Sequence, residues 1–135
     1  MDQDILVKAG HVIVKSLADE GGLPRAALWV HETDADTWKL WILPHSSLTN
    51  QREFYRRIVS IVSKHRPELD GVDAADVEMV TDKHPAIEGM RHAGAFNATG
   101  QSVINVKNYL VNGYYLAEAI ILQMDPENVP RGVSG

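Results

Sequence analysis

The chain has 135 residues, enough for one domain that hides roughly two-thirds of its unfolded surface, and its 44% hydrophobic and 23% charged content is that of a globular protein rather than a disordered one. It has no cysteine, which excludes disulfides, a thiolate nucleophile and a Cys-type zinc site, and no apolar run approaches the ~20 residues of a membrane span. The absence of cysteine and of such a run, with an acidic rather than basic N-terminus, makes a bacterial-type cytoplasm the expected location, and the net charge of −5 argues against nonspecific polyanion binding.

Ile5, Leu6, Ala9, Val12, Ile13 and Leu17 recur at helical spacing, with Lys8, His11, Lys15 and Asp19 on the other side. This predicts an amphipathic first helix that stops at Gly21 and Gly22, before Pro24. Two β-rich runs follow, Arg25 to Glu32 and Thr37 to Leu43, joined by Thr33, Asp34, Ala35 and Asp36. They read as a hairpin pairing Trp29 with Leu40, His31 with Trp38, and Leu28 with Trp41. Asn50 followed by Glu53 matches a capping box, and Phe54, Ile58, Ile61 and Val62 form one stripe of a second helix ending near Arg66 and Pro67.

A short strand is expected over Asp76 to Thr81. His84 then stands at a capping position before Pro85, opening a short helix to His92 with Ala86, Ile87 and Met90 on its apolar side. Ala93 to Gly100 reads as a loop; the Asn97, Ala98, Thr99 sequon within it carries no weight without a signal peptide. Asn112 and Gly113 between two β-rich runs, Ser102 to Val111 and Tyr114 to Met124, demand a type I′ turn with positive φ at both positions. In that register Lys107 faces Glu118, Asn105 faces Ile120 and Tyr109 faces Leu116. The fold expected is α+β in the order α-β-β-α-β-α-β-β, with a mostly antiparallel sheet. Residues 1–124 form one domain and 125–135 a flexible C-terminal tail, in which Val129 to Gly132 has the look of an engineered protease site.

No phosphate loop, nucleophile elbow, zincin helix or RNA-binding signature is present, so the chain offers no catalytic motif, cofactor or metal set. Three groups of residues remain as candidates. Asn105, Lys107 and Glu118, with Asn108 beside them, interrupt an apolar strand pair and are the candidate ligand-binding set; the simpler reading is a cross-strand ion pair that helps fix register. Strict alternation puts Ile104, Val106, Leu110, Tyr115, Ala119 and Ile121 on the core face. The outer face then carries Tyr109, Tyr114, Leu116, Ile120 and Leu122, together with Val103 and Val111. That surface is too apolar to remain wet, and the five residues named first are the candidate interface of a homodimer or a protein partner. Arg52, Arg56 and Arg57 lie in a segment, Gln51 to Arg66, with five cations and one anion, +4 in a chain that is −9 elsewhere. They form a basic patch suited to nucleic acid or an acidic partner, or simply a solvated helical face.

Five side chains, His31, Asp34, Asp36, Lys107 and Glu118, are the raw material for a small hydrolase or ligand-binding enzyme; His31 beside a turn rich in Asp is more simply a strand-end residue packed on Trp38. His45 lies at the other end of the hairpin from His31, so the two do not share a ligand. His84 and His92 are explained by helix ends.

The segments Ala26-Ala27-Leu28-Trp29-Val30, Trp38-Lys39-Leu40-Trp41, Arg52-Glu53-Phe54-Tyr55-Arg56 and Val111-Asn112-Gly113-Tyr114-Tyr115 resemble small bacterial proteins of unassigned function, over Ala26 to Met124. The resemblance implies a bacterial origin and supplies no activity or site. The function expected is therefore a noncatalytic interaction module, an accessory, immunity or regulatory protein, with the small enzyme second and nucleic-acid binding third.

Overall fold

The computed structural model describes residues 2–93 and 103–125. Most of the loop expected at 93–100, with its sequon, and all but the first residue of the expected tail lie outside them. Three helices and five strands follow one another as α1 (Gln3–Asp19), β1 (Ala26–Glu32), β2 (Thr37–Leu43), α2 (Gln51–Lys64), β3 (Val77–Met79), α3 (Pro85–Ala93), β4 (Ile104–Val111) and β5 (Tyr114–Met124). This is the α+β architecture expected from the sequence, with a largely antiparallel sheet in the order β3-β2-β1-β5-β4. The two hairpins lie side by side through β1 and β5, and only β3 runs parallel to its neighbour. None of the described helices is long and apolar enough to cross a membrane.

Local chemistry sets the boundaries. Asp2 caps α1 by accepting from the Asp4 N–H at 2.8 Å, and Gly21 continues past the helix end at φ 86°. Asn50 caps α2 by accepting from the Glu53 N–H at 3.0 Å, but the Glu53 carboxylate turns to Arg56 and Arg57. His84 caps α3, its Nδ1 accepting from the Ala86 N–H at 3.2 Å. Both central residues of the second hairpin turn have positive φ, 50° at Asn112 and 77° at Gly113, and Lys107 faces Glu118. Asp125, the first residue of the expected tail, donates its N–H to the Arg25 carbonyl at 2.8 Å.

The sheet is covered on both sides. On one, α1 and α2 close a core of Leu6, Ile13, Leu17, Trp29, Leu40, Ile42, Phe54, Ile58, Ile120 and Leu122. Trp29 donates its indole N–H to the Leu6 carbonyl at 2.6 Å, tying helix to sheet. The helix comes this close because position 10 has no side chain: a Cβ there would lie 2.2 Å from Leu122 Cδ1 and 2.9 Å from Trp29 Nε1. On the other side α3 covers Leu28, Trp41, Leu43, Leu116, Ala119, Ile121 and Met124 with Ala86, Ile87 and Met90.

Strict alternation along the second hairpin fails. Val106 and Tyr109 both pack on the α3 side, as do Leu116 and Ala119, so each strand changes phase between them. The cause is Asn108, which adopts φ 51° in mid-strand; its pairing with Ala117 is missing from an otherwise continuous ladder. The expected faces are corrected accordingly. Leu110 and Tyr115, assigned to the core, are 66% and 56% exposed. Leu116, Ile120 and Leu122, assigned to an uncovered interface, are each 1% exposed: Leu116 lies under α3, and Ile120 and Leu122 lie in the α1 and α2 core. Tyr109 and Tyr114, the other two interface candidates, are partly buried against the α3 side.

Candidate functional site

The pairing of β1 with β5 ends at Val30 and Ala119, although both strands continue. Beyond that point the hairpins diverge and leave a cleft of about 340 Å³, lined by Val30, His31, Glu32, Thr33, Asp34, Ala35, Tyr114, Tyr115 and Ala117. The divergence coincides with the phase change at Asn108 and Ala117. Tyr115 is held at the cleft by its hydroxyl, which donates to Asn108 Oδ1 at 2.5 Å, while its cross-strand partner Leu110 stands exposed beside it.

Tyr114 joins this cleft to the α3 side of the sheet. Its ring meets Trp41 edge-on at 5.9 Å and His84 at 4.9 Å, and Trp41 meets His84 at 4.6 Å. Burial, then the carboxylates of Glu32 and Glu78, push the Tyr114 hydroxyl above its ordinary pKa. Burial also lowers the pKa of His84, and its Nδ1 is committed as an acceptor to α3, both of which favour the neutral ring. Trp41 is 3% exposed and its indole N–H has no hydrogen-bond partner, an omission that costs about 1–3 kcal/mol where no acceptor is supplied.

Of the five side chains weighed for a small enzyme, the cleft gathers two. His31 and Asp34 line it, and His31 bonds Asp36 at 2.9 Å while stacking on Trp38 at 4.9 Å. Lys107 and Glu118 lie elsewhere on the second hairpin. Glu118 accepts from Gln3 of α1 at 2.7 Å rather than pairing with Lys107, and Asn105 donates to the same Gln3 at 3.4 Å. The ligand-binding set Asn105, Lys107 and Glu118 is thus largely a docking point for the start of α1. In the basic patch, Arg56 pairs with Glu53 at 3.4 Å and Arg57 with Glu20 at 3.3 Å, while Arg52 is exposed. Among the described residues no three His, Cys, Asp or Glu side chains are placed to hold a metal ion.

A second hollow, about 750 Å³, runs along α1 between Val7, His11, Val14, Leu23, Val103 and Gln123. His11 Nε2 is buried there without a partner, and burial lowers its pKa. Sequence reasoning did not find the meeting of Trp41, His84 and Tyr114, which come from three separate elements. No sequence signal announces it: the two ends are brought together by Asn112 Nδ2, which donates to the Pro85 carbonyl at 3.0 Å.

Compared with protein-family models, curated proteins and solved structures, the chain matches none at significance.

Proposed function

We propose that the protein is a noncatalytic interaction module of the bacterial cytoplasm, an accessory, immunity or regulatory protein, that holds a partner protein with the tips of its two hairpins. The observation carrying this reading is the divergence of β1 and β5 beyond Val30 and Ala119, which opens a cleft beside the exposed pair Leu110 and Tyr115. Both sheet faces are occupied by the chain's own helices, so the tips rather than a face supply the contact surface. An apolar pair beside a polar cleft is the composition of an interface core and its rim. The bacterial and cytoplasmic parts of the reading rest on the resemblance over residues 26–124 and on the cysteine-free composition.

Capture on tagged protein from the native host tests this, with Leu110→Asp/Tyr115→Asp as the disrupted form. Val59→Asp on α2 is the control, since Val59 is 53% exposed but far in sequence from either tip. A stoichiometric partner retained by wild type and by Val59→Asp, and lost from the double variant at unchanged melting temperature, is the expected result. A partner retained by the double variant, or none retained by wild type, overturns it. Sedimentation identifies the case in which the partner is a second copy, at about twice 15.0 kDa.

A further inference from the structure

We infer that Asn112 is a site of covalent modification: its side-chain amide is lost by deamidation through the backbone nitrogen of Gly113, at a rate set by the contact between the second hairpin turn and α3. Asn112 is the only asparagine in the sequence followed by glycine. Asn50, Asn105 and Asn108 precede Gln51, Val106 and Tyr109, whose side chains obstruct attack by the backbone nitrogen. Asn112 is exposed, and the space beside Gly113 is open, since a Cβ there would meet nothing within 4 Å.

The step needs only water. The Gly113 nitrogen gives up its proton and attacks Asn112 Cγ; the N–Cγ bond forms, the Cγ–Nδ2 bond breaks, and the amide nitrogen leaves with that proton as ammonia. Water then opens the resulting cyclic imide at one of its two carbonyls, leaving aspartate or isoaspartate, with nothing oxidised or reduced. In the folded turn two features hold the amide away from this attack. Asn112 lies at φ 50° and Gly113 at 77°, in a two-residue turn closed by the pairing of Val111 with Tyr114, so the peptide between them does not rotate freely. Asn112 Nδ2 also donates to the Pro85 carbonyl at the start of α3, at 3.0 Å. Reaction therefore waits on a local opening in which the turn leaves α3.

Gly89 sits at the same contact: a Cβ there would lie 2.3 Å from Val111 Cγ2 and 3.1 Å from Asn112 Nδ2, so even a methyl group pushes helix and turn apart. The product does not restore the contact. A carboxylate at position 112 has no N–H for the Pro85 carbonyl and faces it acceptor to acceptor. The start of α3 offers little in exchange, since Pro85 has no N–H and the Ala86 N–H is bonded to His84 Nδ1. Isoaspartate also routes the main chain through the former side chain and lengthens the two-residue turn by one methylene. Opening and modification thus reinforce each other, at the margin where His84 and Tyr114 cover Trp41.

Mass spectrometry of the full chain during prolonged incubation at mildly alkaline pH tests the inference. Fragmentation is expected to place the amide-to-acid change at residue 112 and not at Asn105 or Asn108. The folded chain is expected to convert roughly tenfold more slowly than the chain in denaturant. Gly89→Ala, folded by circular dichroism, is expected to convert about fivefold faster than folded wild type. If that variant does not fold, Ile87→Val thins the α3 contact by one methyl group and carries the same expectation. Asn112→Asp is expected to melt below wild type, as is the deamidated chain once purified. Asn112 left intact in the folded chain after the denatured chain has converted, a rate unchanged by loosening α3, or an Asn112→Asp variant that melts like wild type overturns the inference.

Discussion

The two sides of the sheet are closed by very different means. On one side α1 and α2, of 17 and 14 residues, lay continuous apolar stripes over the strands. On the other, the nine residues of α3 do the same work, and the edge of the cover is finished by rings: Trp41 sealed beneath His84 and Tyr114. The long helices leave a hollow only along the outer flank of α1, whereas the short one leaves a margin where aromatic and acidic groups meet solvent. The difference explains why the aromatic cluster of Trp41, His84 and Tyr114 forms at the margin of the α3 side, while the two-helix side is closed by apolar packing over the strands.

The largest effect expected from breaking this contrast is on the two-helix side. Gly10→Val sets a branched side chain against Leu122 and Trp29 and should cost about 3 kcal/mol in chemical denaturation. A change within error would mean that α1 does not lie as close to the sheet as described. Gly113→Val tests the second hairpin: a β-branched residue at φ 77° should cost about 1 to 3 kcal/mol, read as a lower thermal midpoint. On the short-helix side, a Cβ at Gly89 would fall 2.3 Å from Val111 Cγ2, so Gly89→Ala should lose about 1 kcal/mol in spite of alanine's better helix propensity. Stabilisation by this change would show that α3 can shift freely, and that its side is looser than its packing suggests.

The smallest expected effect is a pH dependence. Burial lowers the pKa of His84 and of His11 below the ordinary 6.5, so the unfolded chain binds protons that the folded one refuses. Stability from this source is complete above that value and declines as pH falls through it. His84→Asn keeps a capping acceptor on α3 without a titrating ring. Its melting temperature should fall less than that of wild type between about pH 7.5 and about pH 5.5, with His11 sustaining the remainder. Identical slopes would place the dependence elsewhere.

Register was legible in the sequence where a turn dictates it. Asn112 and Gly113 admit one turn type, and the pairing of Lys107 with Glu118 follows from counting. Which way the side chains face was not legible, because a single left-handed residue resets the alternation and Asn108 looks like any other polar strand residue. Hence the pairing came out right and the faces wrong for Leu110, Tyr115 and Leu116. The first hairpin shows the converse: without such a residue before Asp36, its facing pairs, including His31 with Trp38, follow directly from the sequence. The candidate site was harder still to foresee. His31 and Asp34 reach the cleft as neighbours in sequence, but Trp41, His84 and Tyr114 meet only because the turn at Asn112 is held against the start of α3.

The central claim is that recognition takes place at the hairpin tips. Hydroxyl-radical footprinting of the protein, alone and in the captured complex, tests it most directly, since tyrosine and leucine both report on exposure. Protection of Leu110, Tyr114 and Tyr115, with Leu23 and Val59 reacting as before, is the predicted result. Protection of Leu23 or Val59 with Leu110 and Tyr115 unchanged would contradict it.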